Sequence, residues 1–110
     1  MRVPNCERAV VDPGKLQDYC LSPTHPRGRH KARLFAASLG LTQADADELH
    51  RTLLSVACND TAVTGELDAY GQRYVLDFAM STQSGHATIR SAWIVRSDED
   101  FPRLLTCYVL

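Results

Sequence analysis

The chain reads as an α+β domain: about three helices in its N-terminal half, packed on one face of a four-stranded antiparallel sheet. Three observations predict this. Up to Asn59 apolar residues recur at helical spacing, whereas beyond it they alternate in runs rich in β-branched and aromatic residues. The later runs are joined by turns short enough for hairpins, which makes the sheet an antiparallel meander, and helices followed by strands define the α+β class. At 110 residues, 45% hydrophobic and 23% charged, the composition suits one domain spanning 1–110, with 1–59 mainly helical and 60–110 mainly strands.

In "VVDPGKLQDYCL", Asp12 suits an N-cap and Pro13 the first helical position, where its missing N–H costs nothing. This helix should end near Leu21, because Ser22 precedes Pro23 and is pushed out of helical geometry. "SPTHPRG" is then a stiff loop. A second helix runs from about Gly28 to Leu39, with Gly40 as its stop. Its buried stripe is Ala32, Phe35, Ala36 and Leu39, with Gly28 where a neighbour must approach closely. Thr42 with Asp45 resembles a capping box and opens a third helix striped by Ala46, Leu49, Leu53 and Val56.

The strands are "AVTGEL", "GQRYVLDFAMS", "HATIRSAWIV" and "PRLLTCYVL", with "TQSG" and "SDEDF" as the later turns. Alternation directs Tyr74, Leu76, Phe78 and Met80, then Ile89, Trp93 and Val95, toward the helices. On the last strand Leu105, Cys107 and Val109 suit the core better than Leu104, Thr106 and Tyr108. The open face then carries Arg73, Asp77, Arg90, Thr106 and Tyr108.

The net charge of -1 gives no overall field toward nucleic acid or membrane, yet charge is segregated: no Asp or Glu occurs from Tyr19 through Ala44. No apolar run suits a signal peptide or a membrane span, so the expectation is a cytoplasmic protein without a membrane partner. The four cysteines, Cys6, Cys20, Cys58 and Cys107, lack any C-x-x-C pair, so buried free thiols are expected; if oxidised, three pairings are open. Nothing in their spacing supports a metal site, and no cofactor is implied.

The loop–helix junction concentrates the cationic residues. Arg29, His30 and Arg33 point to solvent, whereas Lys31 lies at the border of the buried stripe, where an ammonium can reach a buried carboxylate, a carbonyl or a ligand. His25 sits in the proline-stiffened loop, placed to cap the helix or to meet an anion there. There is no G-K-[ST] phosphate loop, no G-x-S-x-G and no H-E-x-x-H. On the sheet, Arg73 and Arg90 offer guanidinium forks for phosphate, Thr106 and Tyr108 offer hydroxyls, and Asp77 or a histidine could take a proton. Metal-independent RNA cleavage needs such parts: a base, cations for the charged transition state, and an acid for the leaving oxygen.

The stretch "VVDPGKLQDYCLSPTHPRGRHKARLFAASLGLT" resembles the start of a bacterial family of unknown function reading roughly K-L-x-x-Y-L-L-x-x-x-H-P-x-G-x-x-K-A-x-F-F-x-x-L-G. The second half is similar to that family's Y-G-x-K-Y, W-I-V and P-R-L-V-T-A-Y motifs, here at Tyr70, Gly71 and Tyr74, at Trp93, and at Pro102, Arg103, Thr106 and Tyr108. Three positions depart from it: Cys20 for Leu, Gln72 for a basic residue, and Cys107 for Ala. Related domains occur at the C-termini of secreted bacterial toxins and beside small partner proteins, and resemble the barnase-, colicin- and RelE-like ribonuclease fold. The resemblance nominates His25, Lys31, Tyr70, Thr106 and Tyr108.

Together these readings point to a toxin-like, metal-independent ribonuclease or RNA-binding relative. Its candidate catalytic residues are His25, Lys31, Arg90, Thr106 and Tyr108, with Arg73 and Tyr70 as substrate-binding residues. The alternative is a non-catalytic domain that binds a small partner protein encoded beside it. Whether the chain is an enzyme at all stays open, as does a homodimer through the last strand.

Overall fold

In the computed structural model, which describes all of Met1–Leu110, the N-terminal signals act where the sequence puts them. The Asp12 carboxylate accepts the Gly14 N–H at 2.9 Å, and Pro13 begins α1, Pro13–Lys15. This short helix widens at once into a π-helical turn over Leu16–Cys20, which ends at Leu21. Helix α2, Arg29–Leu39, buries Ala32, Phe35 and Leu39, and stops at Gly40, whose φ of 67° is left-handed. Helix α3, Ala46–Val56, follows a 3-10 turn at Gln43–Asp45; its capping box is formed, with the Asp45 carboxylate accepting the Thr42 N–H at 2.9 Å.

The sheet consists of β1 (Val63–Asp68), β2 (Gly71–Thr82), β3 (Gly85–Arg96) and β4 (Pro102–Val109), adjacent in chain order and antiparallel throughout. Helices α2 and α3 pack against one face. Tyr74, Leu76, Phe78 and Met80, with Ile89 and Trp93, are buried there as alternation predicts. Ser91 is buried among them without penalty: its hydroxyl donates to the Leu76 carbonyl at 2.7 Å and accepts the Trp93 indole N–H at 2.9 Å.

On β4 the alternation is broken. Ala92 pairs with Thr106 but Trp93 pairs with Leu104, so Leu105 is an extra residue in a β-bulge. Leu104, not Leu105, therefore enters the core, while Leu105 turns half-buried to the open face. Beyond the bulge Cys107 and Val109 face inward as expected.

The cysteine expectation is corrected in part. Cys6 and Cys58 form a disulfide, while Cys20 and Cys107 are free and buried. The bond ties an N-terminal arm to the segment after α3. Along this arm Val10 pairs in parallel with β4, its N–H donating to the Pro102 carbonyl at 2.9 Å and its carbonyl accepting the Leu104 N–H at 3.0 Å. The start of β4 is thus a covered edge, whereas β1, at the opposite end of the sheet, is exposed along its whole length. No helix is long and apolar enough to cross a membrane.

Candidate functional site

Gly28 sets the geometry from which the site is built. A Cβ there would overlap the Tyr19 carbonyl, so only glycine lets the π-helical turn lie against the start of α2. Tyr19 is thereby brought beside Lys31, one turn into α2. The Lys31 ammonium donates to the Tyr19 hydroxyl at 2.8 Å and, across the sheet edge, to the Thr106 hydroxyl at 3.1 Å. It also lies 4.6 Å from the Tyr19 ring centroid and 5.7 Å from that of Tyr108. Lys31 thus crosses from the helical layer to the open face, although its helix packs on the covered one.

His25 takes the structural role foreseen for it. Its Nδ1 accepts the backbone N–H groups of Arg27 and Gly28, each at 3.0 Å, which anchors the entry to α2. With Nδ1 an acceptor, the ring proton resides on Nε2. The ring stands edge-on to Tyr19 with centroids 4.8 Å apart. The Ser22 hydroxyl, accepting the His25 N–H at 3.2 Å, stiffens the same loop.

These groups line a pocket of about 400 Å³ together with Lys15, Arg27 and Leu105. No carboxylate lines it, and none forms an ion pair with Lys15, Arg27 or Lys31; Lys15 reaches the Leu105 carbonyl at 3.5 Å. Lys15 and Lys31, both half-buried, and the exposed Arg27 therefore face only neutral oxygens and leave a local excess of positive charge. Behind it, Cys20 approaches the Thr106 hydroxyl at 3.9 Å. The Cys20 thiol is lowered, first through its neighbour Cys107 and more weakly by Thr106 and the charge of Lys31, against the upward push of burial. Cys107 is driven upward by the same contact.

The sheet candidates divide. Arg90, Tyr108 and Asp77 lie in one cross-strand row, Asp77 opposite Arg90 and Arg90 opposite Tyr108. The Arg90 fork is already filled, with Nε and Nη2 each donating to an Asp77 carboxylate oxygen at 2.9 Å. That guanidinium holds the Asp77 carboxyl below its usual range, while Asp77 and, more weakly, Tyr108 raise Arg90 further. Arg73 is likewise taken by Asp68, whose carboxyl is lowered first by the Tyr70 N–H and then by Arg73. The arginines expected to offer free forks are therefore neutralised in place. Tyr70 and Arg73 do not meet Lys31; they line a separate cavity, of which Leu105 is also a wall.

Sequence reasoning did not nominate Lys15, Tyr19 or Cys20 for the site. Tyr19 was detectable through Gly28, since a glycine required for close approach implies something approached. A further surface groove, about 550 Å³, lies elsewhere, on the flank of α2 turned away from Lys31, with Ala32, Ala36 and Leu41 in its walls and Arg29 and Arg33 beside them.

Fold and pocket together define a small α+β domain with an uncompensated cluster of cations at one sheet edge. The same fold is found in a solved chain of a contact-dependent growth inhibition toxin - immunity protein complex from Klebsiella pneumoniae 342. It is 18% identical, covers 92% of this chain and 99% of its own, and superposes with a TM-score of 0.69. The chain belongs to the family described as domain of unknown function DUF6883, which matches residues 2–110. No curated protein matches it in sequence.

Proposed function

We propose that this chain is a toxin-like domain that acts on RNA, seating the phosphodiester backbone in the Lys31 pocket and cleaving it without a metal. The observation that carries this reading is the convergence of Lys15, His25, Arg27, Lys31 and Thr106 on one pocket with no internal counter-charge. Lys31, Lys15 and Arg27 would stabilise the extra negative charge of the transition state, and the His25 Nε2–H would donate toward a phosphate or leaving oxygen. Tyr108 adds a hydroxyl and a ring beside Lys31, held in its row by Arg90. With Nδ1 engaged and no carboxylate in the pocket, these residues contribute charge stabilisation and hydrogen-bond donation, while the 2′-hydroxyl proton passes to solvent hydroxide and the leaving oxygen takes its proton from water. The fold it shares with a chain from a toxin–immunity complex agrees with the toxin-like reading.

The test is incubation of the pure chain with total RNA and a labelled single-stranded oligonucleotide in EDTA, following cleavage on gels and binding by anisotropy. We expect both, with Lys31→Met weakening binding by roughly ten- to hundredfold, the worth of a charge-assisted contact. RNA neither bound nor cut at low salt would sink the proposal.

The second reading is a non-catalytic domain that binds a small acidic partner. It is favoured by the α2 groove, where an apolar floor lies beside unpaired Arg29 and Arg33. In that case Arg33→Glu would abolish partner binding, and RNA would stay intact with every variant.

A further inference from the structure

The cavity at the other end of the open face differs in kind from the Lys31 pocket. It measures about 500 Å³ and is walled by Tyr70, Arg73, Ile94, Arg96 and Leu105, with Asp98 at its margin. Tyr70 is 75% exposed, the one aromatic side chain of the molecule on the open surface; the other aromatic rings are buried or half-buried. An exposed ring on a loop is usually mobile. Here the backbone beneath it is tied on several sides: the Tyr70 N–H donates to Asp68 at 2.9 Å, the Tyr70 carbonyl accepts the Ser97 N–H at 3.0 Å, and the Ser97 hydroxyl donates to the Ala69 carbonyl at 3.0 Å. The fold fixes the backbone beneath the ring and leaves the ring itself exposed.

The floor is apolar for a structural reason. The β4 bulge rotates Leu105 onto the open face, where it joins Ile94 in the cavity wall. The cations of this cavity are compensated, Arg73 by Asp68 and Arg96 by Glu99 at 4.0 Å, so it does not invite an anion. An exposed aromatic wall on an anchored backbone, an aliphatic floor, flat guanidinium planes and a hydrogen-bonding rim suit an uncharged planar heterocycle. Leu105 is common to this cavity and the Lys31 pocket, so a strand whose phosphate sits at Lys31 passes directly over both.

The geometry points to a nucleobase subsite at Tyr70, Ile94 and Leu105, which stacks a base of the RNA strand whose phosphate is held at Lys31. It rests on the RNA reading above but is carried by its own cavity, and the two can fail separately. Isotope-labelled full-length chain is titrated by NMR with adenosine and uridine, which carry no phosphate, and with inorganic phosphate. Nucleosides should shift the Gly71, Ile94, Leu105 and Arg96 amides; Tyr70→Ala should weaken this by roughly tenfold, Tyr70→Phe should retain it, and Lys31→Met should leave it unchanged. Phosphate should show the reverse dependence. Single-stranded RNA affinity should also fall by roughly tenfold in Tyr70→Ala. If RNA binding needs Lys31 but is the same in Tyr70→Ala, or if millimolar nucleosides shift none of these amides, the subsite is wrong while the RNA reading stands. Nucleoside binding that needs Tyr70, in a chain without RNA affinity, would support the subsite and overturn the RNA reading.

Discussion

The two halves of the molecule treat positive charge in opposite ways. Every arginine on the sheet is matched by a carboxylate: Arg73 by Asp68, Arg90 by Asp77, and Arg96 and Arg103 by Glu99. From Lys15 to Arg33, by contrast, Lys15, Arg27, Arg29, Lys31 and Arg33 have no ionic partner at all. Charges paired at home are a framework and contribute little field; charges left unpaired are available to something else. The difference shifts the candidate for a site from the open face, where the arginines drew attention, to the β4 edge, where Lys31 contacts only neutral groups.

The largest expected effect concerns what holds the unpaired set in place. The Cys6–Cys58 bond spans a sequence separation of 52, and closing a loop of that size is worth about 4 kcal/mol of chain entropy. Replacing both cysteines by Ser should lower urea stability by up to that amount and release the Val10 arm that leads into Lys15. RNA affinity should then drop along with stability, whereas the pairs on the sheet should persist. A stability loss under about 1 kcal/mol, well short of the loop-closure estimate, would show that the β4 pairing of Val10 holds the arm without the cross-link.

A smaller effect separates the two classes of cation directly. Each phosphate contact contributes about 0.7 to the slope of log affinity against log salt for a single strand. Lys31→Met and Arg27→Gln should each reduce that slope by about this increment, while Arg73→Gln should leave it unchanged. Equal reductions at Arg27 and Arg73 would abolish the distinction between free and compensated charge.

Much of this was legible beforehand, and the reasons are local. Period-two alternation over Tyr74–Met80 and Ile89–Trp93 identified the covered face, because side chains there obey the pleat without interruption. The helical wheel placed Lys31 at a border, and Pro23, Pro26, Gly28 and Gly40 punctuated the chain where the backbone required it. The bulge at Leu105 was not readable, since an extra residue in one strand leaves no mark in a run as apolar as "LLTCYVL". Nor was the disulfide, because four separated cysteines allow three pairings and only the fold brings Cys6 to Cys58. The neutralisation of Arg73 and Arg90 is likewise tertiary: Asp77 lies 13 residues from Arg90 and faces it only through the β2–β3 register. Open-face arginines could be named from the sequence, but their partners could not.

The most delicate test comes from the carboxylates that do the neutralising. Asp77 is held below its ordinary range, chiefly by the Arg90 hydrogen bond; Asp68 and Glu99 are lowered too, Glu99 first by Arg103. A carboxyl whose folded value lies below its unfolded one, about 4, contributes stability that is complete above that value and is lost as the pH falls through the folded value. These pairs should therefore leave stability flat between about pH 5 and 8 and erode it below about pH 4. Asp77→Asn removes one such group, so its Tm deficit relative to the parent chain should shrink from pH 6 to pH 2; a deficit constant with pH would mean that the pair acts through packing rather than charge. The same substitution uncovers Arg90 beside Tyr108, whose ring lies 5.7 Å from the Lys31 ammonium. If compensation is what silences the sheet arginines, Asp77→Asn should raise RNA affinity and steepen the salt slope by about 0.7, turning a framework residue into a contact.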